Sequence, residues 1–199
     1  MLLNDTELTI LEEFVGDYKA RLTGSSIAKK KKLNQKTVSN YLKRLEEQNF
    51  LKSITEGKNK LYSLNLQDEQ LIVNFISSVE NARAINFYKK NPLIKEIIAK
   101  SLPSIKGIAL IFGSYAKGTQ KKESDLDIFI AGKIDKKEIN KIEDVYHVEI
   151  NIKAYPLAAF KKALEEKDPL VEEAIKSHII IQNAQEFASF VRWVKHGKG

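Results

Sequence analysis

Two aspartates, Asp125 and Asp127, stand two apart at the head of an apolar run, Ile128 to Ala131. In a strand such residues share a face, so both carboxylates project together while Leu126 and Ile128 turn inward. Carboxylates held that close repel each other, and one stays protonated unless a cation relieves the pair. Mg²⁺, or Mn²⁺ in its place, suits them, because it takes oxygen ligands from one or two carboxylates and completes its shell with water and phosphate. Upstream, a second apolar run, Ile108 to Phe112, stops at Gly113-Ser114, and a ten-residue loop, Tyr115 to Ser124, leads to the aspartates. Gly-Ser at a helix start offers free backbone N–H groups, and Gly113 has no side chain to keep a phosphate away. The pattern reads as a site for a metal-bound nucleoside triphosphate.

GSYAKG followed by SDLDIFI, between two apolar runs, resembles the signature of minimal nucleotidyltransferases, a branch of the DNA polymerase β superfamily, over roughly Leu93 to Ile181. A β-loop-β unit with a glycine turn and two solvated aspartates is the alternative. The resemblance implies a mixed-sheet α/β domain in which Gly113, Ser114 and Lys117 bind nucleotide, since the family often has Lys or Arg at the last position; a basic rim shared with Lys121 and Lys122 is the other reading of Lys117. It also implies a third carboxylate on the neighbouring strand. Tyr146 to Tyr155 alternates strongly, with His147, Glu149, Asn151 and Lys153 on one face. Glu149 is the best match, although the family more often has Asp there; a plain outward glutamate is the other reading. The implied catalytic and metal-binding set is therefore Asp125, Asp127 and Glu149, transferring a nucleoside monophosphate, AMP from ATP, to an acceptor hydroxyl. Some relatives modify protein tyrosines as antitoxins paired with a HEPN partner, and others modify small molecules. A HEPN-type partner is implied on those grounds alone. The competing reading is a regulator whose nucleotidyltransferase fold senses nucleotide without catalysis.

Charge separates the chain into unlike parts. Residues 21–60 hold 11 Lys or Arg against 3 Asp or Glu, a net +8, so the rest of the chain carries −1 of the total +7. Such a basic segment beside a neutral one is the footprint of nucleic-acid binding. With 43% apolar residues the 199-residue chain can build real cores, and no apolar run reaches the length of a membrane span. The acidic, helically periodic N-terminus is unlike a signal peptide, so a cytoplasmic protein is expected. No cysteine is present, which excludes disulfides and thiolate metal sites.

The basic segment has its own order. Asn4 to Glu7 resembles a capping box, and Leu8, Leu11, Val15, Tyr18 and Leu22 recur at helical spacing. Gly24-Ser25-Ser26 is expected to cap a second helix, Ile27 to Lys32, and a third runs from about Gln35 to Gln48. Its inner face is Val38, Tyr41, Leu42 and Leu45; outward stand Gln35, Lys36, Thr37, Ser39, Asn40, Lys43 and Arg44, donors suited to bases and phosphates. Strands Leu51 to Ile54 and Lys60 to Leu64 flank a turn, Thr55 to Asn59. Three helices and a basic hairpin look like a winged helix-turn-helix, whose third helix enters the major groove of double-stranded DNA while Lys58 and Lys60 meet phosphate. A small helical domain with a solvated lysine face, or a wing used for protein contact, is the alternative.

The remainder reads as scaffold. Asp68 to Tyr88 is an amphipathic helix, serving core packing or a homodimer contact. Asn91-Pro92 is expected to cap the next helix, Leu93 to Ser101. Asp135 to Glu143, Pro156 to Glu166, Pro169 to Ser177 and Gln185 to Val194 read as helices, with Phe190 and Trp193 docking the last and Lys195 to Gly199 fraying. His147, His178 and His196 form no zinc or acyl-transfer pattern. The expected domains are 1–66, a winged helix; 67–104, connecting helices; and 105–199, the nucleotidyltransferase unit.

Overall fold

Side chains that accept the first free amides set where several helices of this chain begin. The computed structural model describes residues 4–15, 17–18 and 20–196, without the side chains at 191 and 193–196; the expected docking of Trp193 and residues 197–199 of the tail lie outside the described residues, whereas Lys195 and His196, expected to fray, continue the last helix. Asn4 and Glu7 open α1 (Asp5–Val15) as a capping box: Glu7 N–H donates to Asn4 Oδ1 at 2.9 Å and Asn4 N–H to Glu7 Oε2 at 3.1 Å. The helical spacing carried this helix on to Leu22, but it ends at Val15, and Leu22–Thr23 is a short strand, β1. Thr23, not the Gly-Ser-Ser stretch, caps α2 (Gly24–Lys31) by accepting from Ser26 N–H at 3.1 Å.

Asn34 caps α3 (Gln35–Glu47), which buries Val38, Tyr41, Leu42 and Leu45 as its spacing predicts. β2 (Leu51–Glu56) and β3 (Asn59–Leu64) extend further than expected and turn through Gly57-Lys58 alone, with Gly57 at φ +60°. A two-residue hairpin with glycine at the first turn position twists in the same sense as its strands. β1 joins the far side of β3, giving a three-stranded wing sheet, β1-β3-β2. Three helices and this sheet make the winged helix.

Asp68 caps α4 (Glu69–Lys90). Its buried residues are not one stripe: Val73, Ala84 and Phe87 are covered as well as Ile72, Phe75, Ile76 and Val79. A helix covered on several sides is the centre of a fold rather than its surface. α5 (Pro92–Ser101) follows with no side-chain cap from Asn91, whose amide instead donates back to Phe87 O at 2.9 Å. After a 3₁₀ turn come β4 (Ile105–Ile111), α6 (Gly113–Lys117), β5 (Leu126–Ile134), α7 (Lys136–Tyr146), β6 (Ile150–Tyr155), α8 (Leu157–Glu166), α9 (Pro169–Lys176), β7 (Ile179–Gln182) and α10 (Ala184–His196). The alternating stretch from Tyr146 is thus divided. α7 takes Tyr146, His147 ends the helix at φ +52°, and the strand starts only at Ile150.

The second sheet has the order β6-β5-β4-β7, with β5 and β6 parallel and the other pairs antiparallel. Strand periodicity divides its two faces. Leu126, Ile128 and Ile130 pack with Ile94, Ile97 and Ile98 of α5 and Ile139 of α7. Phe129 and Ala131 turn the other way, into a cluster with Phe160 of α8, Val171 and Ala174 of α9 and Phe187 of α10. That cluster continues through Ile72 and Ile76 into Leu8, Phe14, Val38 and Leu42 of the winged helix. Within the chain α4 packs against α1, α10 and β7, while Ile85 on it stays exposed.

Candidate functional site

Gly113 and Asp127 are brought together by the pairing of β4 with β5. Phe112 N–H still donates to Asp127 O at 3.0 Å, and the chain then turns over Asp127 at Gly113, φ +68°. A Cβ at Gly113 would stand 2.2 Å from Asp127 Oδ2. Glycine is therefore required twice, by the left-handed backbone and by the carboxylate beneath it. The sequence reading assigned that open space to a phosphate; Asp127 takes the position a side chain would fill. Ser114 follows in the first turn of α6, and Gly118 closes that helix.

β5 begins at Leu126, so Asp125 stands one residue before the strand and is exposed, whereas Asp127 is half-buried. The parallel register sets Asp127 opposite Asn151, and Asn151 Nδ2 donates to Asp127 Oδ1 at 3.1 Å. Glu149 lies two residues earlier, before β6 starts, where its carbonyl accepts Leu126 N–H at 2.8 Å and the residue itself is exposed. Burial pushes the Asp127 carboxyl above the usual aspartate range. The charges of Asp125 and Glu173 act in the same direction, against the Asn151 hydrogen bond and the Lys153 charge. Among the described residues, no group of three or more His, Cys, Asp or Glu side chains is placed to hold a metal ion. Asp125 and Asp127 thus share one electrostatic environment, while the expected trio with Glu149 is not assembled.

Lys117, expected to face phosphate, has its Nζ 3.0 Å from Glu173 Oε1 on α9. Sequence reasoning gave no function to Asn151, Lys153 or Glu173. For the first two the signal was present, because they alternate with Glu149 on one strand face. For Glu173 there was none: only the docking of α9 on the sheet brings it to Lys117.

On α3, Lys36, Thr37, Ser39, Asn40 and Lys43 are exposed on the outer side, and Lys58 stands exposed in the wing turn. Three of the expected DNA contacts carry ion pairs within the domain, Lys43 with its Nζ 3.8 Å from Glu47 Oε1. Arg44 donates to Glu7 of α1 and lies over the Tyr41 ring, 4.7 Å from its centroid. Lys60 pairs with Glu46 at 2.6 Å and stands over Tyr62. Thr37, Asn40, Tyr41 and Arg44 also line an open cleft of about 560 Å³ against Asn4 to Glu7.

Residues 92–182 match the family model of the nucleotidyltransferase domain, and residues 15–105 match that of the penicillinase repressor. The chain joins a repressor-type winged helix to a nucleotidyltransferase domain. No curated protein and no solved structure matches it. The two matched spans overlap over 92–105, which is α5 and the turn after it, so the nucleotidyltransferase domain begins on a helix the repressor match also includes. Every residue of the Asp127 site, from Gly113 to Glu173, falls inside the nucleotidyltransferase match. No described helix is long and apolar enough to cross a membrane.

Proposed function

We propose that the chain is a metal-dependent nucleotidyltransferase that moves a nucleoside monophosphate, AMP from ATP, to an acceptor hydroxyl, and that its repressor-type domain binds double-stranded DNA. The observation that carries the first part is the seating of Asp127 beneath Gly113, with Asp125 acting on it from one residue before the strand. The donor set fits Mg²⁺ or Mn²⁺: two hard carboxylates, one raised in pKa by burial and by negative neighbours, make a place where a cation relieves repulsion. Asp125 and Asp127 would hold it. When bound, the metal supplies charge neutralisation of the triphosphate and a lowered pKa for the attacking hydroxyl. Ser114 and the free amides of the α6 start face the phosphates, Lys117 adds a cation at their edge, and Asn151 fixes the Asp127 carboxylate by its hydrogen bond.

One observation favours a second reading, nucleotide sensing without transfer. The residue paired with Asp127 is an amide, and among the described residues no three acidic side chains are placed to hold a metal ion together. The test is incubation with α-labelled ATP, Mg²⁺ and lysate of the source cells, beside Asp125→Asn. Label moved by the wild type alone supports transfer and supplies the acceptor, a HEPN-type protein among the candidates. Nucleotide bound without pyrophosphate release supports the sensor.

A further inference from the structure

We infer that Glu173 is a positioning residue of the nucleotide site, holding Lys117 until a triphosphate draws it away; this rests on the triphosphate reading above. α9 is fixed at both ends. Asp168 Oδ1 accepts Leu170 and Val171 N–H at 3.0 and 3.1 Å, and His178 Nδ1 lies 2.6 Å from Ile175 O. Val171 and Ala174 are fully buried, so the helix cannot turn about its axis without opening the core. Glu173 therefore projects from a rigid element on the side of the Asp127 site. Its Oε1 meets Lys117 Nζ at 3.0 Å, and its charge is felt at Asp127.

Lys117 ends a five-residue helix that opens at Gly113 and Ser114, so it shares an element with the amides expected to face phosphate. Glu173 does two things there. It occupies the ammonium group, and it adds a negative charge to a region where phosphate must enter. Both groups are about half exposed, with side-chain exposures of 46% for Lys117 and 53% for Glu173, so water screens their pair and makes it weak. A metal triphosphate offers Lys117 several oxygens in place of one carboxylate, and the pair opens. Glu173 thus weakens every phosphate ligand that takes Lys117 from it, by at most the worth of the pair, and leaves unpenalised a ligand that binds with the pair closed.

The test is Mg²⁺-ATP binding, by titration calorimetry at fixed salt, to the wild type, Glu173→Gln, Lys117→Met and the double variant, with AMP as the second probe. Glu173→Gln is expected to tighten ATP by about two- to five-fold, the range of an exposed ion pair, and to tighten AMP, which has fewer oxygens to draw Lys117 away, by a smaller factor. In the Lys117→Met background the same change is expected to lose most of its effect. Unchanged or weaker ATP binding by Glu173→Gln overturns the proposal while leaving the triphosphate site standing, and weaker binding would make Glu173 a ligand of the metal or substrate. An equal effect in both backgrounds also overturns it, since Lys117 would then not be the group released. If neither the wild type nor Glu173→Gln binds ATP, GTP, CTP or UTP, the nucleotide reading falls and this role with it. Thermal melts of all four proteins distinguish a folding defect from a binding one.

Discussion

The Tyr18 hydroxyl donates to Glu80 Oε1 at 2.9 Å, tying the segment after α1 to the middle of α4 across 62 residues of sequence. The same oxygen lies 3.0 Å from His178 Nε2, while Arg83 donates to Glu80 Oε2 at 2.7 Å and to His178 O at 2.8 Å. Glu80 and His178 are fully buried. One network therefore joins the repressor-type domain, the central helix and the approach to β7.

Removing the central carboxylate takes a hydrogen-bond partner from Tyr18, Arg83 and His178 at once. Glu80→Ala is expected to cost about 3–5 kcal/mol, as breaking a buried pair does, and Tyr18→Phe about 1.5–3 kcal/mol for a hydrogen bond to a charged group. Denaturant titration measures both. A Glu80→Ala loss below that of Tyr18→Phe would show that the network is not centred on Glu80.

The same carboxylate sets a pH dependence. Burial pushes the Glu80 pKa up, but the His178 and Arg83 charges and the hydrogen bonds from His178 and Tyr18 outweigh it and leave it below the usual glutamate range. A depressed folded pKa contributes stability above the unfolded value and loses it as pH falls through the folded one. The stability gap between wild type and Glu80→Gln should therefore be full at neutral pH and close in the acid range below ordinary glutamate titration. A gap that does not change with pH would contradict an ionised Glu80.

Gly113→Ala places a Cβ 2.2 Å from Asp127 Oδ2 at φ +68°. The left-handed backbone alone costs about 1–2 kcal/mol, and the Asp127 carboxylate has to leave its position. Nucleotide transfer is expected to fall by on the order of a hundredfold or more, the scale of a lost charge-stabilising group, with the fold retained. Circular dichroism and pyrophosphate release read the two effects separately, and near-normal turnover would remove Gly113 from the site.

Asn151→Asp sets a third carboxylate opposite Asp127 in the parallel register. Without metal the variant should be less stable than wild type, because like charges directly opposite repel. Mg²⁺ is expected to raise its melting temperature by more than it raises that of the wild type. No difference between EDTA and Mg²⁺ in either protein would argue against a cation at Asp125 and Asp127.

For the repressor-type domain, binding to duplex DNA should weaken linearly with salt on a log–log plot, each phosphate contact adding about −0.9 to the slope. Lys36→Ala and Lys58→Ala are expected to reduce the slope by about one contact each. Lys60→Ala should change it less, since Glu46 holds that ammonium. A flat salt response would exclude phosphate contacts by the basic segment.

The sequence alone determined what depends on near neighbours and on period. The inner face of α3, the two apolar runs about Gly113 and Asp127, and the common face of Asn151 and Lys153 follow from spacing, because backbone geometry fixes which side chains share a side. The family matches agree with the motif for the same reason: Gly113-Ser114 and Asp125-Leu126-Asp127 are local patterns. Helix ends were less legible. Leu22 fits a helical spacing, yet β3 offered it a ladder, and tertiary pairing outweighed a local preference.

Only the tertiary structure decided which group stands opposite which. Strand register chose Asn151 as the partner of Asp127, because a shift of one residue would turn every apolar side chain outward. The docking of α9 brought Glu173 to Lys117, and the burial of α4 on several sides, which a one-stripe pattern hides, brought Glu80 to both Tyr18 and His178. Those contacts span from 56 to 98 positions of chain, a range over which spacing carries no information and only packing does.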